Sequence, residues 1–159
     1  MVRSLQAEIK QTRAFRSLEE EAHLNIVRTA DLLNRAFASA LKPYGLTSTQ
    51  YNVLRILRGA DADGLPSGEV AERMITREPD ITRLLDRMEE KGWVRRLRDQ
   101  EDRRVVRVWI TAAGHALVDS LDAPIDSAHR HCLGPLGEAS LTQLCDLLGE
   151  VRAAENKGT

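Results

Sequence analysis

The sequence predicts a mainly α-helical fold with one small β-hairpin, and three observations predict it. Apolar residues recur at helical spacing over most of the 159 residues. Residues 92–114 break that rhythm. Gly92 ends a helix, a strand-like run and a charged tip follow, and Val106, Val108 and Ile110 then alternate with Val105, Arg107 and Trp109 as a half-buried strand requires. Thr111 is placed to cap a further helix, so the hairpin is held between helices.

Composition narrows the class. Hydrophobic residues make up 42% and charged residues 30%, the balance of a helical globule and not of a disordered chain. No apolar run approaches the ~20 residues that span a bilayer. Met1 to Arg16 is polar and lacks an apolar signal core, so a cytoplasmic protein is expected. The two cysteines, Cys132 and Cys145, form no Cys-x-x-Cys pair, which argues against a zinc finger or a disulfide framework. Formal net charge is −1, with 23 basic against 24 acidic residues. Charge is nevertheless clustered: from Arg95 to Arg107 six arginines meet three acids. Binding to a polyanion depends on such local contacts and not on the total.

In chain order, residues 1–18 are weakly periodic and are expected to form a partly mobile N-terminal extension. A long helix begins at about Glu19, with Ile26, Ala30, Leu33, Phe37 and Leu41 on one stripe. Pro43 ends it and Tyr44-Gly45 turns the chain. Thr47 and Gln50 have capping-box spacing, and the helix they open carries Tyr51, Val53, Leu54 and Leu57. After a polar loop at 59–64, Ser67 is placed to cap a short helix through Val70, Ala71 and Met74. Pro79 suits the first position of the next helix, whose Ile81, Leu84, Leu85 and Met88 share a face. Thr82, Arg83, Asp86 and Arg87 lie elsewhere on it, and Gly92 caps its end. Beyond the hairpin, Leu117, Leu121, Ile125, Ala128 and Cys132 mark a helix that Pro124 should kink. Residues 133–137 interrupt the chain, and Leu141, Leu144, Cys145, Leu148 and Val151 mark the last helix.

Two helices joined by a short turn, the second basic on its exposed side and followed by a hairpin, form a winged helix-turn-helix over residues 47–111. The stripes at 19–46 and 112–154 exceed what so small a core can bury. They are expected to pack on each other or on a second chain, as dimerisation helices. Half-sites on duplex DNA lie about one helical turn, ~34 Å, apart, a spacing that such a dimer could match.

Three motifs in this order resemble the MarR family of bacterial transcription regulators, over about Leu24 to Val151. Leu41-Lys42-Pro43-Tyr44-Gly45-Leu46-Thr47-Ser48-Thr49-Gln50-Tyr51 looks like the family's helix-to-helix junction. Ile81 to Gly92 looks like its recognition helix. Asp102-Arg103-Arg104, followed by a strand and Ile110-Thr111-Ala112-Ala113-Gly114, looks like its wing signature, with Ile110 in place of the usual leucine. The resemblance implies a dimeric, sequence-specific DNA-binding transcriptional regulator on a palindromic operator, a repressor released by a small-molecule ligand and needing no cofactor. It assigns Arg104 to the minor groove with Asp102 as the carboxylate that orients it. Thr82 and Arg83 take the family's recognition-helix roles. Arg77, at the turn, is placed to reach phosphate or guanine, and Arg87 and Arg103 complete the candidate DNA-binding set. Glu78 and Asp80 depart from a basic helix start. They serve the helix dipole and neighbouring arginines, with a cytosine contact by Glu78 as the alternative.

Other readings compete at several positions. Taken alone, the wing arginines would be a solvated surface balanced by Asp99, Glu101 and Asp102; their place after a helix-turn-helix favours DNA. About half of Arg95, Arg96, Arg98, Arg103 and Arg107 are expected only to screen acids. His129, His131 and Cys132, with His115 and His23, have the residue types of a metal site, but Cys132 falls on an apolar stripe and no metal is predicted. Neither cysteine has the exposed, electropositive setting of a sensor thiol. Phe37, Tyr44, Tyr51 and Trp109 are candidates for a ligand cavity, and core packing explains them equally well. No catalytic triad or phosphate loop is present, so an enzyme is not predicted. A winged protein-interaction module without DNA binding is the alternative that the near-zero net charge permits.

Overall fold

The sequence folds, in a computed structural model that describes residues 4–60, 62–99 and 102–155, around a small sheet set among helices. In chain order these are α1 (Leu5–Glu8), α2 (Leu18–Leu41), α3 (Ser48–Arg58), β1 (Leu65–Pro66), α4 (Ser67–Glu72) and α5 (Ile81–Glu90). Then come β2 (Val94–Arg98), β3 (Val106–Ile110), α6 (Ala112–Ser120), α7 (Asp122–Leu133) and α8 (Gly137–Glu155). Short 3-10 turns at Lys42–Tyr44 and Gly134–Leu136 join α2 to α3 and α7 to α8. No helix among the described residues is long and apolar enough to cross a membrane.

The expected hairpin gains a third strand. β3 is central, pairing antiparallel with β2 (Val94 opposite Ile110) and with β1 (Leu65 opposite Val108, Pro66 opposite Arg107). A strand of two residues is too short to show alternation. Pro66 sits in it at a sheet edge, where its missing N–H costs no ladder bond.

Local chemistry sets the helix ends. Gln50 N–H donates to Thr47 Oγ1 at 3.2 Å and Thr47 N–H to Gln50 Oε1 at 3.1 Å, the complete capping box. α5 ends in the double bond of a glycine cap. Gly92 at φ +73° donates to Glu89 O at 2.8 Å, and Trp93 N–H donates to Met88 O at 3.0 Å. Three ends differ from expectation. Ser67 is the first residue of α4 and not its cap, because Pro66 before it is extended in the sheet and supplies no side-chain cap. Pro79 lies outside α5. Asp80 is the cap instead, its Oδ1 accepting from Arg83 N–H at 2.9 Å, as the preference for Asp at that position explains. Pro124 does not kink a continuous helix. The helix breaks one turn earlier, at Leu121, because a proline ring clashes with the carbonyl four residues back, here Ser120, where α6 ends. Within the N-terminal extension the structure adds the single turn α1, capped by Ser4.

The core is shared between the winged head and the flanking helices. Val53, Leu54, Val70, Leu85, Met88 and Val108 are fully buried, and so are Leu41 at the end of α2 and Val118 and Leu121 of α6–α7. The flanking helices pack on each other, α2 on α7, and their inner ends also join the core of the head. α3 packs against the sheet through β3 and against α6 and α2, so it is covered on more than one face. Arg58 fastens the junction: its Nη1 reaches Asp119 at 3.1 Å and Asp122 at 2.9 Å, across the α6–α7 break. The hydrogen bond to Asp122 is the main reason its pKa rises above the ordinary arginine value. The outer ends are uncovered. Ile26, Val27 and Leu32 of α2 and Leu147 and Val151 of α8 keep 44–57% of their surface exposed.

Candidate nucleic-acid interface

α5 has one buried and one open face. Leu84, Leu85 and Met88 are at most 2% exposed, which locks the helix onto the core, while Thr82, Arg83 and Arg87 are exposed. Arg77 is exposed in the turn before it. Arg87 Nε donates to Arg83 O at 3.2 Å, which lays that side chain back along the helix.

The wing tip is closed by its own acids. Asp99 N–H donates to Val105 O at 2.9 Å, and Asp102 N–H to Asp99 Oδ1 at 3.2 Å. Asp102 Oδ1 in turn accepts the backbone N–H of Arg104 at 2.9 Å. Asp102 therefore shapes the turn that presents Arg104 and does not grip its guanidinium, as a side chain that bonds the backbone two residues on is suited to do. Asp102, Arg103 and Arg104 are all exposed. Glu101, one of the acids counted at the tip, lies outside the described residues.

Geometry divides the arginines into two groups. Arg96 is internal: its backbone N–H and Nε bond Glu89 at 2.7 and 3.0 Å, and its Nη2 bonds Asp86. Burial lowers its pKa, but the hydrogen bonds to Glu89 and Asp86 outweigh that and hold it above the ordinary value. Arg107 is held by Asp99 and reaches Asp63 O at 3.4 Å. Arg95 lies over the Trp109 ring, 5.2 Å from its centroid. By contrast Arg77, Arg83, Arg87, Arg98, Arg103 and Arg104 form no ion pair among the described residues. Cations without an acid partner remain available to phosphate and to base edges.

Thr111 and Gly114 fix where the wing returns to the helices. Thr111 Oγ1 donates to Gly92 O at 2.6 Å and accepts from Gly114 N–H at 3.1 Å, while Thr111 N–H bonds Trp93 O at 3.0 Å. A Cβ at Gly114 would overlap that Trp93 carbonyl, so the approach requires glycine.

A mainly apolar cavity of about 310 Å³ lies between α2, α3, the α4–α5 turn and α7. Leu33, Phe37, Asn52, Ile75, His129 and Cys132 contribute to its wall. Of the four aromatic candidates, Phe37 alone lines it. Tyr51 is buried edge-on against Phe37, with centroids 5.6 Å apart, and Tyr44 packs on the core. Trp109 lies by the sheet, its Nε1 donating to Ala62 O at 3.2 Å beside a separate cavity of about 140 Å³. Asn52, Ser48 and Thr76 were not singled out by sequence; the available signal is a polar Asn52 inside the apolar run Tyr51 to Leu54. His129 stacks on Phe37 at 5.2 Å, and Cys132 is half-buried.

A family model described as the MarR family matches residues 46–106, from the start of the α3 cap into β3. Over 125 residues the chain is 30% identical to the HTH-type transcriptional regulator PecS of Dickeya dadantii (strain 3937), spanning 78% of this chain and 75% of that protein. The chain belongs to the MarR family. Another relative, the homoprotocatechuate degradative operon repressor of Escherichia coli, is 31% identical over 120 residues, spanning 76% of this chain and 80% of its own. Among solved structures, a mutant MarR from E. coli complexed with operator DNA matches with a TM-score of 0.75 at 27% identity. That match covers 85% of this chain and 98% of the other. This MarR-family chain is thus a transcriptional regulator and not an enzyme, with a winged head between long terminal helices.

Proposed function

We propose that the chain acts as a homodimer that binds a palindromic operator in double-stranded DNA and represses transcription until a small molecule releases it. The observation that carries the DNA reading is the division of the arginines. Arg77, Arg83 and Arg87, with Thr82, keep an open face on the recognition helix, and Arg103 and Arg104 an open wing tip, while Arg96 and Arg107 are spent internally. In this reading Thr82 and Arg83 meet base edges and Arg77, Arg87 and Arg103 meet phosphate. Arg104 enters the minor groove from the turn that Asp102 shapes. The uncovered outer ends of α2 and α8 support the dimer, since completing the burial of each half-exposed aliphatic side chain contributes roughly half of the 1.5–3 kcal/mol of full burial. The cavity between α2, α3, the α4–α5 turn and α7 supports the effector.

Gel-shift titration with the DNA flanking the chain's own gene, at several salt concentrations, tests this. Expected is a shift whose logarithmic affinity falls linearly with log salt, about 0.9 for each phosphate contacted. No shift at any salt overturns the DNA reading in favour of an interaction module. Light scattering at micromolar concentration checks the assembly, and a mass of one chain overturns the dimer.

A further inference from the structure

Asn52 is a polar side chain only 8% exposed, on a helix whose neighbouring positions Tyr51, Val53 and Leu54 are core. The Ile75 N–H lies 2.9 Å from one atom of its amide. A backbone N–H can only donate, so that atom is the oxygen, and the amide NH2 points the other way. No described residue accepts from this Nδ2, yet no fully enclosed side-chain polar atom among the described residues is without a partner. Nδ2 therefore borders open space, and the open space that Asn52 lines is the cavity between α2, α3, the α4–α5 turn and α7.

We infer that Asn52 recognises the effector and passes its presence to the recognition helix, and that the effector is a neutral, mainly apolar molecule carrying one carbonyl-type hydrogen-bond acceptor. The inference rests on the reading of the chain as an effector-responsive regulator. Recognition follows from a donor that faces an apolar cavity: a ligand acceptor there pairs an N–H that has no protein partner among the described residues. Neutrality follows from the lining, which among the described residues contains no lysine or arginine to pair a buried carboxylate; its one basic side chain, His129, is stacked on Phe37. Transmission follows from the other end of the amide. Ile75 and Thr76 line the same cavity and lead directly through Arg77 to Asp80, the cap of α5. A ligand that turns or draws the Asn52 amide pulls on the one side-chain bond that holds Ile75.

Three compounds that share a diphenyl frame test this by calorimetry on the full chain without DNA: benzophenone, diphenylmethane, which lacks the acceptor, and diphenylacetate, which adds a charged carboxylate. Benzophenone should bind roughly fivefold to tenfold tighter than diphenylmethane, the scale of one hydrogen bond, and diphenylacetate weakest. In Asn52→Leu the preference for the ketone should fall to about onefold. On the wild-type chain, nitrogen-15 NMR at saturation should show the Asn52 side-chain amide and the Ile75 backbone N–H moving further with benzophenone than with diphenylmethane. This readout needs no variant to fold. Equal affinity for ketone and hydrocarbon, a preference that survives Asn52→Leu, tightest binding of the carboxylate, still Asn52 and Ile75 resonances, or no binding of any of the three would each overturn the inference. No DNA enters these titrations, so their failure leaves operator binding standing, and a failed gel shift leaves them standing.

Discussion

The Glu89 carboxylate takes two hydrogen bonds from Arg96, from its backbone N–H at 2.7 Å and from Nε at 3.0 Å. With Asp86 on the same guanidinium, the recognition helix and the first wing strand form one body. Arg96→Ala should lower stability by about 1–3 kcal/mol in urea unfolding, because two half-buried carboxylates lose a charged partner. Operator affinity should fall as helix and wing lose their fixed relation, with the salt dependence unchanged. A salt slope flattened by about one would instead place Arg96 on a phosphate. Arg96→Lys should recover little, since an ammonium cannot bridge both acids in the plane of a guanidinium.

At the tip, Asp102 and Arg104 are joined through the backbone, which separates two effects that a direct ion pair would merge. Arg104→Ala should weaken operator binding at low salt and flatten the slope by about 0.9, one phosphate-scale contact. Asp102→Asn keeps an oxygen for the Arg104 N–H and should bind as well as the parent or better, having lost a negative charge beside DNA. Asp102→Ala removes the acceptor and should weaken binding. Equal losses for the Asn and Ala variants would show that the charge of Asp102, and not its turn, is what matters.

These pairs also show how far the sequence could be read. Thr47 with Gln50, Gly92 and Thr111 were legible because caps are local chemistry, complete within a few residues. The partners of Arg96 lie seven and ten positions away across a turn, so sequence showed six similar arginines without showing which were spent. The helix break was visible as Pro124, but its place depended on the backward clash with Ser120. β1 was invisible because Leu65 and Pro66 are a strand only by virtue of Val108 and Arg107. Phe37 was found by residue type; Asn52 was missed because one polar residue in an apolar stripe has no meaning until Ile75 is placed beside it.

Gly114 is the tightest point in the return from wing to helix, with the Trp93 carbonyl where a Cβ would stand. Backbone cannot retreat as a flexible side chain can. Gly114→Ala should therefore cost about 1–3 kcal/mol or more, read as a fall in Tm of ~2–4 °C per kcal/mol at fixed protein concentration. The Thr111 cap should suffer with it, because Gly114 N–H is the donor to Thr111 Oγ1. An unchanged Tm would mean that α6 can slide along the strand ends, contrary to the close approach.

Tyr51 carries its phenol into the core, 7% exposed and edge-on to Phe37 at 5.6 Å. Burial pushes its pKa above the ordinary value of 10.0, and nearby Asp122 and Asp126 act the same way against Arg58 and Arg55. The unfolded chain then loses this proton at a lower pH than the folded one. The contribution is constant below about pH 10 and is lost as pH rises through the folded pKa, because ionisation first favours the unfolded state. Urea unfolding from neutral pH to about pH 11 should show a falling alkaline limb. Tyr51→Phe keeps the ring and its contact with Phe37 and has no proton to lose, so its limb should be shallower. Parallel limbs for the two proteins would show that the phenol reaches solvent.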